Sequence, residues 1–227
     1  MTAAAAPSVL PLFPLTGSLL LPGNWLPLNV FEPRYRNLVA DAMPGERQIG
    51  MIQPFVPRQD NWPALDAPPA PPDDPRLYTV GCAGRIESCE LQADGRYVIL
   101  LKGVRRFRVL DELPLLSGYR RAVADYSDFE GDLHELSKIV NPSRVMAAIR
   151  AFGTAHELSF DFDLLASLPG VSLVNGLSVA LPFRPAEKQA LLEAAGPAER
   201  EELLLTLMGM GVSPLPADEY YSPPTLN

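Results

Sequence analysis

"LPLNVFEPRYRNLVADA", residues 26–42, changes from an apolar to a charged pattern within a few positions. Pro33 suits the first position of a helix, where a missing N–H has no consequence, and Glu32 then lies at or beside the N-cap. Apolar residues follow with the spacing i, i+3, i+4 and i+7: Tyr35, Leu38, Val39 and Ala42. This spacing predicts one apolar helical face. We interpret the segment as a strand that turns into a helix docked on a sheet.

The charged residues of this segment suggest a catalytic cluster at first sight, but helical geometry separates them. Successive helical residues are rotated by about 100°, so Arg34 and Arg36 fall on opposite flanks of Tyr35. Groups that do not converge on one point are poorly placed for catalysis. Long arginine side chains commonly cover the edges of an apolar surface, so the two arginines are expected to border the docked face.

Residues 8–126 carry the strand pattern of the chain, with β-branched and aromatic residues in short alternations. Seven short strands with one inserted helix predict an antiparallel β-barrel or a folded, half-open sheet. Asp94 and Gly95 predict a tight hairpin, because both residues tolerate positive φ. Prolines in "SVLPLFPL" and "NWLPLNV" predict edge or irregular strands. Glycines inside strands predict bulges or sharp bends at three positions: Gly81, Gly84 and Gly103.

Two further regions complete the predicted organisation. Residues 54–76, "PFVPRQDNWPALDAPPAPPDDPR", contain too many prolines for a ladder or a helix interior and predict a long exposed loop. Residues 133–210 have helical spacing and predict a helical bundle. Asn141 followed by Pro142 predicts a helix start. Later boundaries are expected at four residues: Ser172 as a cap, Pro185 as a start, Gly196 as a left-handed stop and Pro197 as a start.

Charge and composition narrow the classes of partner and compartment. The net charge of −8 disfavours nucleic acid, because binding to phosphates depends on positive charge. No segment approaches the ~20 apolar residues of a membrane span. The N-terminus lacks the basic region of a secretory signal, so we expect a cytoplasmic protein that does not contact membranes. Two cysteines, Cys82 and Cys89, and two histidines indicate neither a disulfide framework nor a zinc site, only buried or half-buried thiols.

Familiar catalytic motifs are missing from the sequence. A Walker A loop needs a Gly-Lys dipeptide, and the chain contains none. The motifs H-E-x-x-H and G-x-S-x-G are also missing, and none of the three lysines lies in a loop suited to a Ser-Lys dyad. We therefore predict no catalytic residue, no cofactor and no metal ion. An enzyme of unknown reaction remains a hypothesis that requires a pocket with convergent acids or bases.

The strongest basic run is "LKGVRRFRVL", residues 101–110. In a strand, side chains alternate between faces, so Phe107 shares a face with Arg105 while Arg106 and Arg108 point the other way. Two interpretations stay open at this point. The arginines pair with the surplus carboxylates of the chain, which the net charge favours, or they bind RNA. The RNA hypothesis uses five arginines: Arg105, Arg106, Arg108, Arg120 and Arg121.

Ordered blocks across the chain resemble a known family. They are "LPLFPL", "LLLPG", "LPLNVFEPRYRNLV", "IGMI", "YTVGCAGRI", "DGRY", "LKGVRRFRV" and, in the helical half, "LPFRPAEKQALLEA". Together they resemble the N-terminal, substrate-binding domain of the ATP-dependent Lon protease in its stand-alone bacterial form. The resemblance extends over roughly residues 8–210, so it rests on the order of many blocks rather than on one motif.

The resemblance implies an α+β fold: a PUA-like antiparallel β-barrel with one inserted helix, followed by a C-terminal helical bundle. It also implies a non-catalytic module that recognises unfolded or partly folded protein segments, as an adaptor or together with components of the proteolysis machinery. The family supplies no catalytic residue for this region. An apolar groove between barrel and bundle, rimmed by arginine, is the expected binding site. Its candidate residues are Phe31, Arg34, Tyr35, Arg36 and Phe107.

Overall fold

In the described part of the chain, six strands form one sheet, and five of them close into a ring. The structure is a computed structural model, and it describes residues 9–55, 75–133 and 141–210. Its strands are β1 (Val9–Pro14), β2 (Trp25–Val30), β3 (Gln48–Ile52), β4 (Val80–Leu91), β5 (Tyr97–Leu116) and β6 (Tyr119–Asp125). They pair in the order β2-β5-β4-β3-β1-β6, and β6 also pairs with β5. Five strands therefore close into a ring, here called the barrel, and β2 adds to the first half of β5.

One helix is inserted among the strands and the other helices follow them. They are α1 (Pro33–Ala42), α2 (Pro142–His156), α3 (Phe162–Ser167), α4 (Gly170–Ala180), α5 (Pro185–Glu193) and α6 (Pro197–Met210), with a 3-10 segment at Ser127–Leu133. This arrangement confirms the predicted α+β class. Across the described ranges, no helix combines the length and apolar character that crossing a membrane requires.

Two predicted helix boundaries in the bundle are wrong. Ser172 was expected to cap a helix, but α4 begins at Gly170, because the carbonyl of Pro169 already accepts the first helical hydrogen bond from Leu173. Gly196 was expected to end α5 in a left-handed conformation. The helix ends at Glu193 instead, since Ala194 turns extended, and the carbonyl of Gly196 opens α6. The start at Asn141 is confirmed, because its side chain accepts a hydrogen bond from the N–H of Arg144.

The prolines of β1 do not confine that strand to an edge, whereas β2 does lie at the edge as predicted. Val9–Leu12 of β1 pair with β6, and Leu12–Pro14 pair with β3, so the two ladders overlap only at Leu12. Where a proline has a neighbouring strand on one side only, its nitrogen, which has no hydrogen to donate, can face the side without a partner. The pairing of β1 with β3 is parallel, because β2 and α1 form a crossover between them. The sheet is therefore mixed rather than entirely antiparallel.

Two of the seven predicted strands are one continuous strand, β5, with an irregularity at Gly103, where a bulge or sharp bend is predicted. The register of β4 against β5 shifts between Ala83 and Gly84, which confirms the predicted irregularity. Gly103 allows the chain to approach closely at this point, since a Cβ atom there would lie 2.1 Å from the carbonyl oxygen of Leu21. The glycine therefore bends the strand around a neighbouring segment and does not end it.

The barrel interior is a small core of its own, filled by one aromatic ring. Phe107 is fully buried there, together with seven other residues: Leu10, Leu12, Ile52, Ala83, Ala122, Ala124 and Tyr126. Gly50 and Gly81 make room for the ring, because Cβ atoms at these positions would lie 2.9 Å and 2.6 Å from Phe107 Cζ. The barrel interior is therefore a packed apolar core around this ring.

A second and larger core joins the outside of the barrel to the helices. Leu38 of α1 and Leu101 of β5 belong to it, as do Val145 of α2 and Leu204 of α6. All four side chains are fully buried. The barrel half and the helical half therefore share one continuous apolar core, which fixes their relative position.

Most of the predicted proline-rich loop, residues 56–74, lies outside the described residues. Its two ends are held together by backbone hydrogen bonds. The N–H of Phe55 donates to the carbonyl of Arg76 at 2.7 Å, and the N–H of Tyr78 donates to the carbonyl of Gln53 at 3.0 Å. The rings of Phe55 and Tyr78 contact each other edge to face. The described residues on either side of the segment therefore lie next to each other.

Candidate functional site

Helix α1 docks on the sheet by the face that the sequence predicts. Its buried residues are Tyr35, Leu38, Val39 and Ala42, and the Tyr35 ring stacks on Phe13 of β1 with centroids 4.2 Å apart. Arg34 turns towards Glu32, with which it forms an ion pair at 2.8 Å. Arg36 turns the other way, where its guanidinium packs closely against Gly95 of the β4–β5 hairpin. The two arginines diverge, which confirms that they do not form a catalytic pair.

A groove of about 670 Å³ lies beside the N-terminus of α1. It separates α1 from the turn between β5 and β6, and Pro54 and Pro75 close one side of it. Its main lining residues are Leu15, Arg34, Tyr35, Leu115, Tyr119 and Arg120. We call it the α1 groove. It is formed within the barrel half, whereas the sequence interpretation placed an arginine-rimmed groove between barrel and bundle.

The arginines of the α1 groove are engaged with neighbours in the chain. The guanidinium of Arg34 lies over the Tyr35 ring at 4.7 Å in addition to its ion pair with Glu32. Arg120 forms an ion pair with Glu112 at 2.6 Å and donates a hydrogen bond to the carbonyl of Pro75. These contacts hold the walls of the groove together, so its arginines act mainly as structural ties.

Two tyrosines form part of the α1 groove, and both are neutral at physiological pH. Burial and a hydrogen bond to Asp41 raise the pKa of Tyr119 to about 12. The hydroxyl of Tyr119 donates this bond at 3.0 Å. Burial also raises the pKa of Tyr35. A tyrosine that holds its proton so firmly is a poor general base, so these two side chains offer polar contacts rather than base catalysis.

We expect the stability of the protein to fall in alkaline solution, with a contribution from Tyr119. The folded state keeps the Tyr119 proton up to a pKa of about 12, against an ordinary value of 10.0. This contribution is complete below pH 10.0 and disappears as the pH rises through about 12. Urea denaturation of the wild type and of Tyr119→Phe, at about pH 8 and about pH 11, measures the effect.

The difference in free energy of unfolding between these two proteins should shrink at the higher pH. Burial raises the pKa of Tyr126 to about 12 as well, but this residue is present in both proteins and cancels from the comparison. A difference that stays constant across this range would contradict the assignment to Tyr119.

An exposed apolar surface lies on the opposite side of β2 from the core. Directly opposed residues of antiparallel strands share a face, and β2 opposes β5 through Trp25 with Lys102, Pro27 with Leu100, and Asn29 with Val98. The ammonium of Lys102 lies over the Trp25 ring at 5.2 Å, which confirms the shared face. Phe31 follows the last residue of β2, and continued alternation by one position is expected to put it on this side. We call this surface the outer face: Trp25, Pro27, Phe31, Val98, Leu100 and Lys102.

The aromatic residues of the outer face are open to solvent. Phe31 is 63% exposed and Trp25 is 50% exposed. On β4, the residues opposite β5 on this face are polar: Arg85, Ser88 and Glu90. All three are exposed. An exposed apolar strip with a polar border is typical of a surface that contacts another macromolecule.

The structure distributes the five candidate residues over four places. Phe31 lies on the outer face, Arg34 and Tyr35 line the α1 groove, and Arg36 packs on the far side of α1. Phe107 has no exposed surface and fills the barrel interior, so a partner cannot reach it in the folded protein. These residues therefore do not form one contiguous site.

Sequence reasoning missed Trp25 and Lys102 as surface residues. The signal was present in "NWLPLNVF", residues 24–31, where Leu26, Leu28 and Val30 alternate with more polar or aromatic positions. The aliphatic set points to the core, so the aromatic residues between them point outward. The position of Lys102 was harder to predict, because it depends on the register between β2 and β5.

The five arginines of the RNA hypothesis all have partners inside the chain. Carboxylates pair with three of them: Arg106 with Asp132 at 2.7 Å, Arg108 with Asp128 at 2.8 Å, and Arg120 with Glu112 at 2.6 Å. Backbone carbonyls accept from the other two: Tyr126 from Arg105, and Pro114 from Arg121. The interpretation that the arginines pair with surplus carboxylates is confirmed for these three ion pairs. The structure gives no support to a nucleic-acid site built from these arginines of β5 and β6.

The cysteines and acidic residues do not form a metal centre in the described part of the chain, where no group of three or more His, Cys, Asp or Glu side chains comes together. Cys82 is buried and Cys89 is half-buried, as the sequence predicts. Burial raises the pKa of both thiols. A raised pKa lowers the fraction of thiolate at neutral pH, which makes both thiols weaker nucleophiles.

Comparisons with solved structures and other sequences agree with this fold. A Lon N-terminal domain protein from Xanthomonas campestris matches at 25% identity with a TM-score of 0.57, over 88% of this chain and 98% of that one. The N-terminal domain of a Mycobacterium avium complex Lon protease shares the fold, at 16% identity, with a TM-score of 0.60 and the same two coverages.

Relatives of much greater length also match. Lon protease of Anaeromyxobacter dehalogenans and Lon protease 2 of Myxococcus xanthus are each 28% identical over 89% of this chain. The chain spans only 23% and 24% of the length of these two relatives. The profile of the ATP-dependent protease La (LON) substrate-binding domain matches residues 9–209. Because this match covers most of the sequence, the chain belongs to the family of Lon substrate-binding domains.

Proposed function

We propose that this chain is a non-catalytic module that binds exposed apolar segments of other proteins on its outer face. The observation that carries the proposal is the pair of solvent-exposed aromatic residues, Trp25 and Phe31, on a sheet face whose border is polar. Membership of the Lon substrate-binding family supports protein segments as the ligand class. The cytoplasm is the proposed location, and an adaptor role beside the proteolysis machinery is the proposed setting.

Burial of the apolar side chains of the outer face can supply the free energy that such binding needs. Burying a large apolar side chain contributes about 1.5–3 kcal/mol, and exposed aromatic residues are frequent among the strongest contributors to protein interfaces. Unfolded proteins present apolar side chains that folded proteins bury. A surface of this kind therefore distinguishes an unfolded segment from a folded one without reading a particular sequence.

Replacing Phe31 with alanine should weaken the binding of an unfolded protein by roughly tenfold or more, because the aromatic ring with the greatest exposed fraction on the outer face is lost. Fluorescence anisotropy with a reduced, alkylated and dye-labelled model protein measures the dissociation constant. Since Phe31 is 63% exposed, the variant should fold normally.

Leu91→Ala is the matched control. Leu91 is 62% exposed, but it opposes Tyr97 and therefore lies on the other side of the sheet from Phe31. The control variant should bind as the wild type does. Equal weakening in both variants would indicate non-specific apolar contact, and a wild type that does not bind unfolded protein would remove the proposal.

A further inference from the structure

The geometry points to a specific mode of binding, which rests on the proposed function: an extended protein segment adds to the outer edge of β2 as an antiparallel strand. Its apolar side chains lie at every second position, on the outer face. Carboxylate side chains occupy its C-terminal end, at the end of the outer face where Lys102 and Arg85 carry positive charge. Strand addition of this type combines backbone hydrogen bonds with pockets for alternate side chains.

The outer edge of β2 has no strand beside it in the described part of the chain. β2 is the last strand of the sheet order and pairs only with β5. The ladder to β5 begins where the N–H of Gly103 donates to the carbonyl of Asn24 at 2.8 Å. Hydrogen bonds of an antiparallel pair recur at every second residue. Even-numbered residues of β2 therefore bond to β5, and odd-numbered residues direct their backbone groups to the open edge.

The odd-numbered residues present a usable set of backbone groups. Trp25 and Asn29 each offer an N–H donor and a carbonyl acceptor, and Pro27 offers a carbonyl alone. Pro27 is compatible with the strand because its missing donor faces the open edge and not β5. These residues also place their side chains on the outer face, so a partner residue opposite each of them contacts that face.

The charges on this surface favour one orientation of the added strand. Lys102 and Arg85 oppose each other on β5 and β4, at the end of β2 that begins with Trp25. Neither forms an ion pair within the described ranges, although Lys102 lies over the Trp25 ring. Glu90 lies at the other end of the face, opposite Val98. An antiparallel segment should therefore bind most tightly when its carboxylates are at its C-terminal end.

A synthetic peptide tests this arrangement. The probe is a short fluorescein-labelled peptide with valine at every second position, threonine between them and two aspartates at the C-terminal end. In the proposed register, the valine N–H groups donate to β2 and the threonine N–H groups face solvent. N-methylation of a central valine should weaken binding about tenfold, because a backbone hydrogen bond is lost. N-methylation of a central threonine should leave the affinity unchanged.

A charge exchange tests the orientation. Lys102→Glu should weaken the binding of the aspartate peptide. It should strengthen the binding of a matched peptide that carries two lysines at its C-terminal end. Equal effects of all N-methyl groups would overturn strand addition while leaving the proposed function intact. Loss of binding to both peptides and to unfolded protein in the wild type would remove the proposed function itself. A third peptide carries its two aspartates at the N-terminal end. If it bound the wild type as tightly as the peptide with C-terminal aspartates, the proposed orientation would be overturned.

Discussion

Phe107→Ala should lower the free energy of unfolding by about 3–5 kcal/mol, the cost typical of removing a fully buried aromatic side chain. The ring fills the interior of the barrel and has no exposed surface. Alanine leaves an empty volume that the strands cannot close, because the backbone hydrogen bonds of a ring of strands fix its diameter. Urea denaturation followed by tryptophan fluorescence measures the change, with Phe31→Ala as the control for an exposed phenylalanine.

The glycines around the ring provide a second and independent check. A Cβ atom on Gly50 would approach Leu10, Leu12 and Phe107, with 2.9 Å to Phe107 Cζ. Gly50→Ala should therefore destabilise the wild type. In the Phe107→Ala background the added methyl group enters the vacated space, so its cost should be smaller. Equal costs in both backgrounds would mean that the two positions are independent, and would contradict the packing described for the barrel interior.

Local sequence patterns were sufficient for α1 and insufficient for Phe107. The helix depends on its own residues, and the spacing of Tyr35, Leu38, Val39 and Ala42 identified the docked face. The face of β5 that carries Phe107 could not be identified in this way. Alternation of polar and apolar residues distinguishes a solvent-exposed strand face from a buried one. Arg106 and Phe107, however, are both buried, on opposite faces of the strand. A strand covered on both sides gives no such contrast.

Surface position was predictable where a strand has one exposed face and unpredictable where it depends on pairing. The alternation along β2 and into the residue after it was sufficient to predict that Trp25 and Phe31 are exposed. The location of Lys102 beside Trp25 follows from a register between strands that are separated by about 70 positions in sequence. The groove beside α1 likewise depends on contacts among β1, α1 and the β5–β6 turn. Such contacts arise from the closure of the barrel, which no short segment encodes.

Arg106→Leu should destabilise the protein by about 3–5 kcal/mol, because it leaves a buried charge without its partner. The side chains of Arg106 and Asp132 are each 1% exposed and form an ion pair at 2.7 Å. The guanidinium also lies over the Phe129 ring at 4.7 Å, and it donates to the carbonyls of Leu192 and Ala194. One arginine thus connects β5 with the 3-10 segment and with the end of α5. Urea denaturation measures the loss.

The contributions of charge and of position can be separated with a second substitution. Asp132→Leu added to Arg106→Leu removes the unpaired carboxylate, so the double variant should be more stable than the sum of the two single losses predicts. It should not regain the full stability, because the carbonyls of Leu192 and Ala194 still lose their donor.

The exposed ion pair between Arg144 and Glu202 is the matched control. Since water solvates and screens both of its groups, Glu202→Ala should have no measurable effect on unfolding. If Arg106→Leu had equally little effect on the free energy of unfolding, the buried pair would contribute no more to stability than a surface pair. The connection between barrel and bundle would then depend on their shared apolar core alone, since burial is what makes the loss of one charged partner costly.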